Sequence, residues 1–486
     1  MDISVIGSGI GGLSSAIRLA NKGYNVTVYE KNSKPGGKLG SLIFDDYKFD
    51  TGPSLLTMPH LIDELFELSH VNPRKYFNYK KKKVHCKYFW DDRKTFTAYS
   101  KQSKYLHEAK NSLGVTEINL KRYFDKAAKK YDLINKIFLK KSIHKLSTYI
   151  NYETFKALIN LFTFQLFSSL YDVNRKEIRN DRMEQILNRY ATYNGSSPYK
   201  TSGIMTIIQH LENHHGTFVC DGGMNQIPKA LYELCIKIGI KFEFNTEIKK
   251  ILFANNKIEG IQTSKNLIKT DIVISNSDIN YTYKNLLGDK KFSIKKNDMS
   301  SSAVIFFWGI KKEYKNLDLH NIFFSSNYKK EFEEIFENNN ISNDPTIYVN
   351  ITSKDIKNVS PKKSENWFVM INSPKDIGQN WDNIKMTLRR NVINKLNKIL
   401  ETDIEKFISV EKIYTPKDIE KNSRSYLGSL YGSSSNSIFS PIMRHPNFST
   451  RIKNLFFCGG TVHPGGGIPL CIMSSKIVSE LIEKSN

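Results

Sequence analysis

The chain has 486 residues, with 72 Lys and Arg against 48 Asp and Glu and a formal net charge of +24. Its length exceeds the roughly 250–300 residues at which a single core stops growing, so two or three packed lobes and a deep pocket are expected. A 40% hydrophobic and 12% aromatic composition excludes a disordered chain.

Most of the surplus charge is Lys dispersed singly, as on a solvated surface. Only the four lysines at 80–83 form a block that an anionic lipid surface could meet. The lysines lack the aromatic interleaving of a nucleic-acid reader, so no nucleic-acid partner is expected. The cysteines at 86, 220, 235, 458 and 471 contain no Cys-x-x-Cys pair, which points away from a disulfide framework and from a metal site. The first residues run straight into a strand pattern, and no stretch reaches the ~18 apolar residues of a spanning helix. The expectation is a cytoplasmic protein with at most a peripheral hold on the cytoplasmic face of a membrane. No feature of the pattern specifies an oligomer.

In chain order, Ile3-Ser4-Val5-Ile6 is a short β-branched run, followed by Gly7-Ser8-Gly9-Ile10-Gly11-Gly12 and by Leu13, Ile17 and Leu19 at helical spacing. Strand, tight turn and helix in this order form a nucleotide-binding signature. Gly7 permits the turn, Gly9 lets backbone approach a diphosphate, and Gly12 lets the helix close on the strand. A second strand, Asn25-Val-Thr-Val-Tyr-Glu30, ends in a carboxylate eighteen residues after Gly12, where it can accept from a ribose 2′-hydroxyl and would repel a 2′-phosphate. Next come Lys31, the pair Gly36-Gly37, Lys38, and then Phe49-Asp-Thr-Gly-Pro53.

Residues 105–189 read as long helices rich in Lys and aromatics. Within them 123–139 is amphipathic and 155–171 is apolar on nearly every side, as in an internal helix, a lid or a segment dipping into lipid. At Asp221-Gly-Gly-Met224 a turn opens a helix over 229–238, followed by strands at 241–245 and 258–263. A buried parallel strand at 271–278 ends in a polar turn, where α/β ligand sites lie. From 280 to 450 the signals are strands at 302–309, 347–351 and 366–371, interrupted by a helix at 381–400. These describe a second, aromatic sheet suited to a bulky apolar ligand. The chain closes on Cys458-Gly-Gly-Thr-Val-His-Pro-Gly-Gly-Gly-Ile-Pro469, before an apolar helix for which Pro469 is a suitable first-turn residue.

Three separated pieces carry a family likeness: 5–53, the Gly222-Gly223-Met224 turn with Asn245-Thr-Glu-Ile248, and 454–469. Together the chain resembles the bacterial phytoene desaturase family of FAD-dependent carotenoid desaturases and isomerases. The resemblance implies an α/β fold with a Rossmann-like FAD-binding lobe assembled from 1–75, 216–280 and 450–486. It also implies a mixed-sheet substrate lobe over 281–449 and a helical lid or membrane-facing portion over 76–215. FAD would be the cofactor and a carotenoid the substrate, desaturated by hydride transfer to the flavin. Gly7, Gly9 and Gly12 would cradle the diphosphate and Glu30 would bind the ribose, with Gly11 and Lys31 also among the cofactor-binding residues. The Gly36-Gly37 pair would let the chain run along the flavin, Pro53 would be cofactor-binding, and Lys38, standing where the family usually has Arg, would contact phosphate or flavin as a point charge instead of a bidentate fork. Ile248 would meet adenine, Gly459 and Gly460 the diphosphate, and Gly467, Ile468 and Pro469 the isoalloxazine ring.

No Ser/His/Asp or metal constellation stands out as catalytic machinery. His463 is the one candidate, and a histidine packed to hold its loop explains it equally. The segments 188–195 and 318–325 look closest to the hydroxycarotenoid 3,4-desaturase branch, with Arg189 or His320 placed to meet a terminal hydroxyl. Carotenoid isomerase and flavin amine oxidase activities share much of the pattern. So does a prenyl-binding escort of the Rab GDP-dissociation inhibitor type, which has no redox chemistry.

Overall fold

A computed structural model describes residues 1–135, 141–145, 148, 164–292, 299–437 and 444–484. Its first sheet has five parallel strands in the order Leu455–Phe457, Ile272–Ser275, Asp2–Ile6, Asn25–Tyr29 and Lys241–Glu243. Strands from both ends and the middle of the sequence therefore lie side by side. Parallel strands need both faces covered. On one face Ile3, Val5, Val26 and Val28 pack against Leu13 and Ile17 of helix Ile10–Ala20, Leu231 of helix Gln226–Lys237 and Ile477 of helix Ile468–Glu483. Each fully buried aliphatic side chain here contributes about 1.5–3 kcal/mol. On the other face Ile6, Tyr29 and Phe457 meet Ile248, Ile251 and Ile261 of a three-stranded antiparallel sheet.

The second sheet has seven strands in the order Ile408–Tyr414, Ser302–Ile310, Glu365–Ser373, Ile347–Ile351, His320–Phe323, Val84–Phe89 and Thr95–Tyr99. All neighbours are antiparallel except Val84–Phe89 beside His320–Phe323, which makes the sheet mixed. Strand alternation divides its side chains. Val304, Phe306 and Trp308 face helix Trp381–Leu400, and Ile305 and Phe307 face Tyr47 and Phe49 on the opposite side.

Several expectations need correction. The stretch 76–215 is not wholly helical, because Val84–Phe89 and Thr95–Tyr99 complete the second sheet and Tyr79–Lys81 pairs with Phe218–Cys220. Helices Gln102–Leu113, Glu117–Ile134, Leu170–Ile178, Asp181–Asn188 and Thr206–His215 make up much of the remainder. They pack on the end of the sheet through Tyr105, Phe124 and Met183, joined by Tyr190 of the turn Arg189–Asn194. The amphipathic run at 123–139 belongs to Glu117–Ile134 as far as 134, and 136–140 lie outside the described residues. Of the apolar run at 155–171, residues 155–163 lie outside the described residues, and Leu170 starts the next helix. A strand at Ile248–Ala254 had no counterpart in the sequence reading. A register shift between Ile248 and Lys250 breaks the alternation that would have marked it.

The lysine block is not one open patch. Lys82 turns inward, bonding Asp318 at 2.9 Å and Asp355 at 2.6 Å, and only Lys80, Lys81 and Lys83 are left on the surface side. Among the described residues no helix is long and apolar enough to cross a membrane.

Candidate functional site

An elongated cleft runs along the carboxyl ends of the parallel strands, where open α/β sheets place their ligands. It begins at the turn after Asp2–Ile6, whose Gly7 amide donates to Tyr29 O at 2.8 Å and so ties the turn to the second strand. Helix Ile10–Ala20 starts at Gly9 with no side-chain cap, leaving its first amides directed at the cleft. A Cβ on Gly12 would stand 2.1 Å from Gly7 O, so the close seating of this helix on its strand requires glycine.

Glu30 is buried at the end of the second strand and is held from both sides. Its Oε2 accepts from the Ser8 amide at 2.9 Å and the Ser8 hydroxyl at 2.8 Å, and its Oε1 accepts from the amide and side chain of Asn32, each at 2.9 Å. These four donors fill the roughly four lone-pair sites of the carboxylate, so a ribose hydroxyl bonding it would take the place of a side-chain donor, Ser8 Oγ or Asn32 Nδ2. Lys31, Ile248 and Glu247 border the cleft beside it, with Arg424 bonding Glu247 at 2.9 Å.

Further along, Gly37, Lys38 and Pro53 face Gly459, Gly460, Gly467 and Ile468. Lys38 Nζ donates to Leu430 O at 2.7 Å. Burial lowers the Lys38 pKa, and the negative charge of Asp278 opposes the shift. Arg444, also buried, donates to the carbonyls of Tyr431, Gly460 and Ser433 and so fixes the glycine loop from behind. Burial pulls its pKa down to about 10.

The cleft thus gathers Gly7, Gly9, Gly11, Glu30, Lys31, Gly37, Lys38, Pro53, Ile248, Gly459, Gly460, Gly467 and Ile468. Gly12 and Pro469 do not border it: Gly12 packs the first helix on its strand, and Pro469 sits in the first turn of the last helix. His463 does not border it either. Its Nε2 lies 3.0 Å from Lys141 O, its ring meets His144 edge-on, and its carbonyl accepts from Asn447 at 2.7 Å. It holds a loop. Arg189 and His320 lie away from the cleft, among the helices and on the second sheet respectively.

The sequence reading missed Asn276, the residue on which the glycine turns at 7–12 and 459 converge. A Cβ on Gly9, Gly11 or Gly459 would come within 2.6–2.8 Å of its side-chain amide. The available signal was the polar end of the strand Ile272–Ser275. Asp278, two residues on, caps the next turn by accepting from Asn280 N at 2.8 Å.

A crossing of uncapped helix amides, glycine backbone from three segments and an oriented carboxylate suits a dinucleotide with a diphosphate and an adenosine ribose. The chain belongs to the flavin-containing amine oxidoreductase family, whose model matches residues 10–346. Its cofactor is FAD, and the glycine cradle fits that group. Within the family the chain groups with carotenoid-modifying enzymes. It is 47% identical over 484 residues to a 1-hydroxycarotenoid 3,4-desaturase of Flavobacterium sp. (strain P99-3), covering 99% of each chain. It is 30% identical over 487 residues to a 4,4'-diaponeurosporene oxygenase of Staphylococcus haemolyticus (strain JCSC1435), covering 99% of this chain and 96% of that one. A triple mutant of putrescine oxidase superposes with a TM-score of 0.65 at 11% identity, covering 100% and 99% of the two chains. An oxidoreductase from Methanosarcina mazei does so with a TM-score of 0.63 at 15% identity, covering 99% and 100%. At such identities the likeness is one of fold.

Proposed function

We propose that this chain is a FAD-dependent carotenoid desaturase whose substrate carries a terminal 1-hydroxyl and gains its new double bond at the 3,4 position. The observation that carries the reading is the 47% identity to a desaturase of that name, sustained over 99% of both chains. In this reading Gly7, Gly9, Gly11 and Gly459 hold the diphosphate, Glu30 the ribose, Ile248 the adenine side, and Lys38, Pro53, Gly467 and Ile468 the flavin end. Bound there, FAD supplies a two-electron acceptor for hydride from an unactivated carbon.

The protein's own contribution is to bind, orient and exclude water. The inner face of the second sheet bears Ile305, Phe307, Phe368 and Met370 against Phe49 and Leu430, and Leu430 also borders the cleft. A long apolar chain laid on this face would reach the cleft without meeting solvent. Positioning of that kind supplies much of the rate enhancement where no acid–base constellation is at hand. Membrane supply of such a substrate fits a peripheral attachment on the cytoplasmic side, with Lys80, Lys81 and Lys83 and the 75%-exposed Phe167 as contact residues.

The test is to incubate the flavin-loaded protein with liposomes containing either a 1-hydroxycarotenoid or phytoene and an electron acceptor, followed by absorbance and chromatography. A red shift with the hydroxylated substrate is expected. If neither substrate gains conjugation, the reading fails.

A further inference from the structure

Two polar side chains on the substrate side were open as partners for a terminal hydroxyl, and their surroundings separate them. Both Nη groups of Arg189 are engaged, with Tyr88 OH at 2.8 Å and Tyr193 OH at 2.9 Å. Its charge is faced by Glu212 at 3.7 Å, and Glu212 in turn accepts from Tyr190 and Tyr193. Its Nε has no partner among the described residues, but the guanidinium lies 4.5–5.5 Å from the rings of Tyr88, Tyr190 and Tyr193, so Arg189 ties the helices to the sheet end inside a tyrosine cluster.

His320 differs. It is 3% exposed, and its Nδ1 lies 2.7 Å from Tyr348 OH and 3.2 Å from the Asn350 side-chain amide nitrogen. Donation from Asn350 makes Nδ1 the acceptor, so in the neutral ring Nε2 carries the hydrogen. Burial lowers the His320 pKa to about 4, which keeps the ring neutral at ordinary pH. Among the described residues Nε2 has no partner. A buried N–H left in that condition is costly and calls for an acceptor.

Its location suits one chemistry. Tyr348 OH also bonds Ser54 Oγ at 2.7 Å, and Ser54 is the residue after Pro53, which lines the cofactor cleft. The His320 ring, itself away from the cleft, is therefore linked by two hydrogen bonds to the residue next to its wall. It also closes a series of rings along the inner sheet face: Phe49 to Phe307 at 5.7 Å, Phe307 to Phe368 at 5.6 Å, Phe368 to Tyr348 at 6.4 Å and Tyr348 to His320 at 6.0 Å. An apolar chain with a hydroxyl three bonds from its reacting carbons would need a polar anchor a short distance from the cleft, with apolar surface beyond it.

We propose that His320, positioned by Tyr348 and Asn350, donates from Nε2 to the terminal hydroxyl of the substrate and thereby sets which carbon–carbon bond is presented to the cleft. The proposal rests on the desaturase reading above. It makes His320 a specificity determinant and Tyr348 a positioning residue.

The test compares the full-length, flavin-loaded wild type with His320→Phe, His320→Gln and Tyr348→Phe. Each is given vesicles holding a 1-hydroxycarotenoid or the same carotenoid without its hydroxyl. For His320→Phe, kcat/KM on the hydroxylated substrate should fall roughly ten- to hundredfold more than on the hydrocarbon, so that the preference collapses. The product should also lose its single double-bond position. His320→Gln, which restores a donor, should recover part of the preference, and Tyr348→Phe should lose a few-fold. Equilibrium capture of each carotenoid by the same flavin-loaded proteins, with the flavin reduced beforehand under anaerobic conditions and binding read by absorbance, gives the ratio independently of turnover. A wild-type preference unchanged in the His320 and Tyr348 variants overturns the anchor while leaving the desaturase reading standing. Turnover of neither carotenoid by the wild type sinks that reading instead, and the binding ratio then still decides on His320.

Discussion

Ser8 grips Glu30 twice, through its amide at 2.9 Å and its hydroxyl at 2.8 Å, both on Oε2. The turn that would receive the diphosphate and the carboxylate that would receive the ribose are therefore one unit, and a change in one is felt by the other. Glu30→Ala should leave the Ser8 and Asn32 amides without their acceptor and remove the ribose contact. Hydrogen bonds to charged groups are worth about 1.5–3 kcal/mol each. FAD affinity is expected to fall at least tenfold, measured as flavin absorbance per protein after dialysis against graded FAD. Undiminished flavin retention would remove Glu30 from the cofactor site.

Two glycines of the same lobe make a paired comparison. A methyl on Gly12 would lie 2.1 Å from Gly7 O, backbone against backbone, whereas a methyl on Gly23 meets nothing within 4 Å and faces only its φ of +85°. Gly12→Ala should abolish soluble flavoprotein because helix and strand cannot separate without dismantling the turn. Gly23→Ala should keep its flavin and lose about 1 kcal/mol, the cost of a left-handed L-residue. Yield, the flavin spectrum and Tm decide, and a Gly12→Ala protein with wild-type Tm would contradict the packing described.

The cofactor half of the site was legible in the sequence because its determinants are local: Gly7 to Gly12 and Glu30 are set by a strand, a turn and a helix within thirty residues. Asn276 was not legible, since its role exists only once segments near 9, 276 and 459 meet in space. The same holds for Val84–Phe89, which completes a sheet whose other strands, apart from Thr95–Tyr99, lie beyond residue 300. His320 and Arg189 were visible as polar residues near a substrate lobe. Only their surroundings distinguish a guanidinium bonded through both Nη groups and flanked by three tyrosine rings from an imidazole beside the sheet face with a donor to spare.

His463 sits in the most glycine-rich stretch of the chain, yet its contacts are with Lys141, His144, His445 and Asn447. His463→Gln should hold turnover within about threefold of wild type and lower Tm, by the roughly 0.5–1.5 kcal/mol of a lost hydrogen bond. A fall in turnover beyond a hundredfold, with flavin content and Tm intact, would return this residue to the chemistry.

Acid stability follows from the buried imidazoles. Burial holds His320 and His445 at about 4, and it does the same for the less enclosed His210 and His215, with the neighbouring His214 adding to the shift in both. An unfolded histidine titrates near 6.5. Above that pH both states are neutral and the stability is at its full value. As pH falls from 6.5 towards 4 the unfolded chain takes up protons that the folded one refuses, so stability declines through this window. His320 and His445 alone give a slope of roughly 2–3 kcal/mol per pH unit near pH 5, at about 1.4 kcal/mol per proton. Most carboxylates titrate below this range, which leaves the interval from 6.5 to 5 chiefly to histidine. Tm measured across pH 7 to 5 at constant ionic strength and flavin loading should fall steadily, and a flat profile would mean that these rings are protonated in the folded protein.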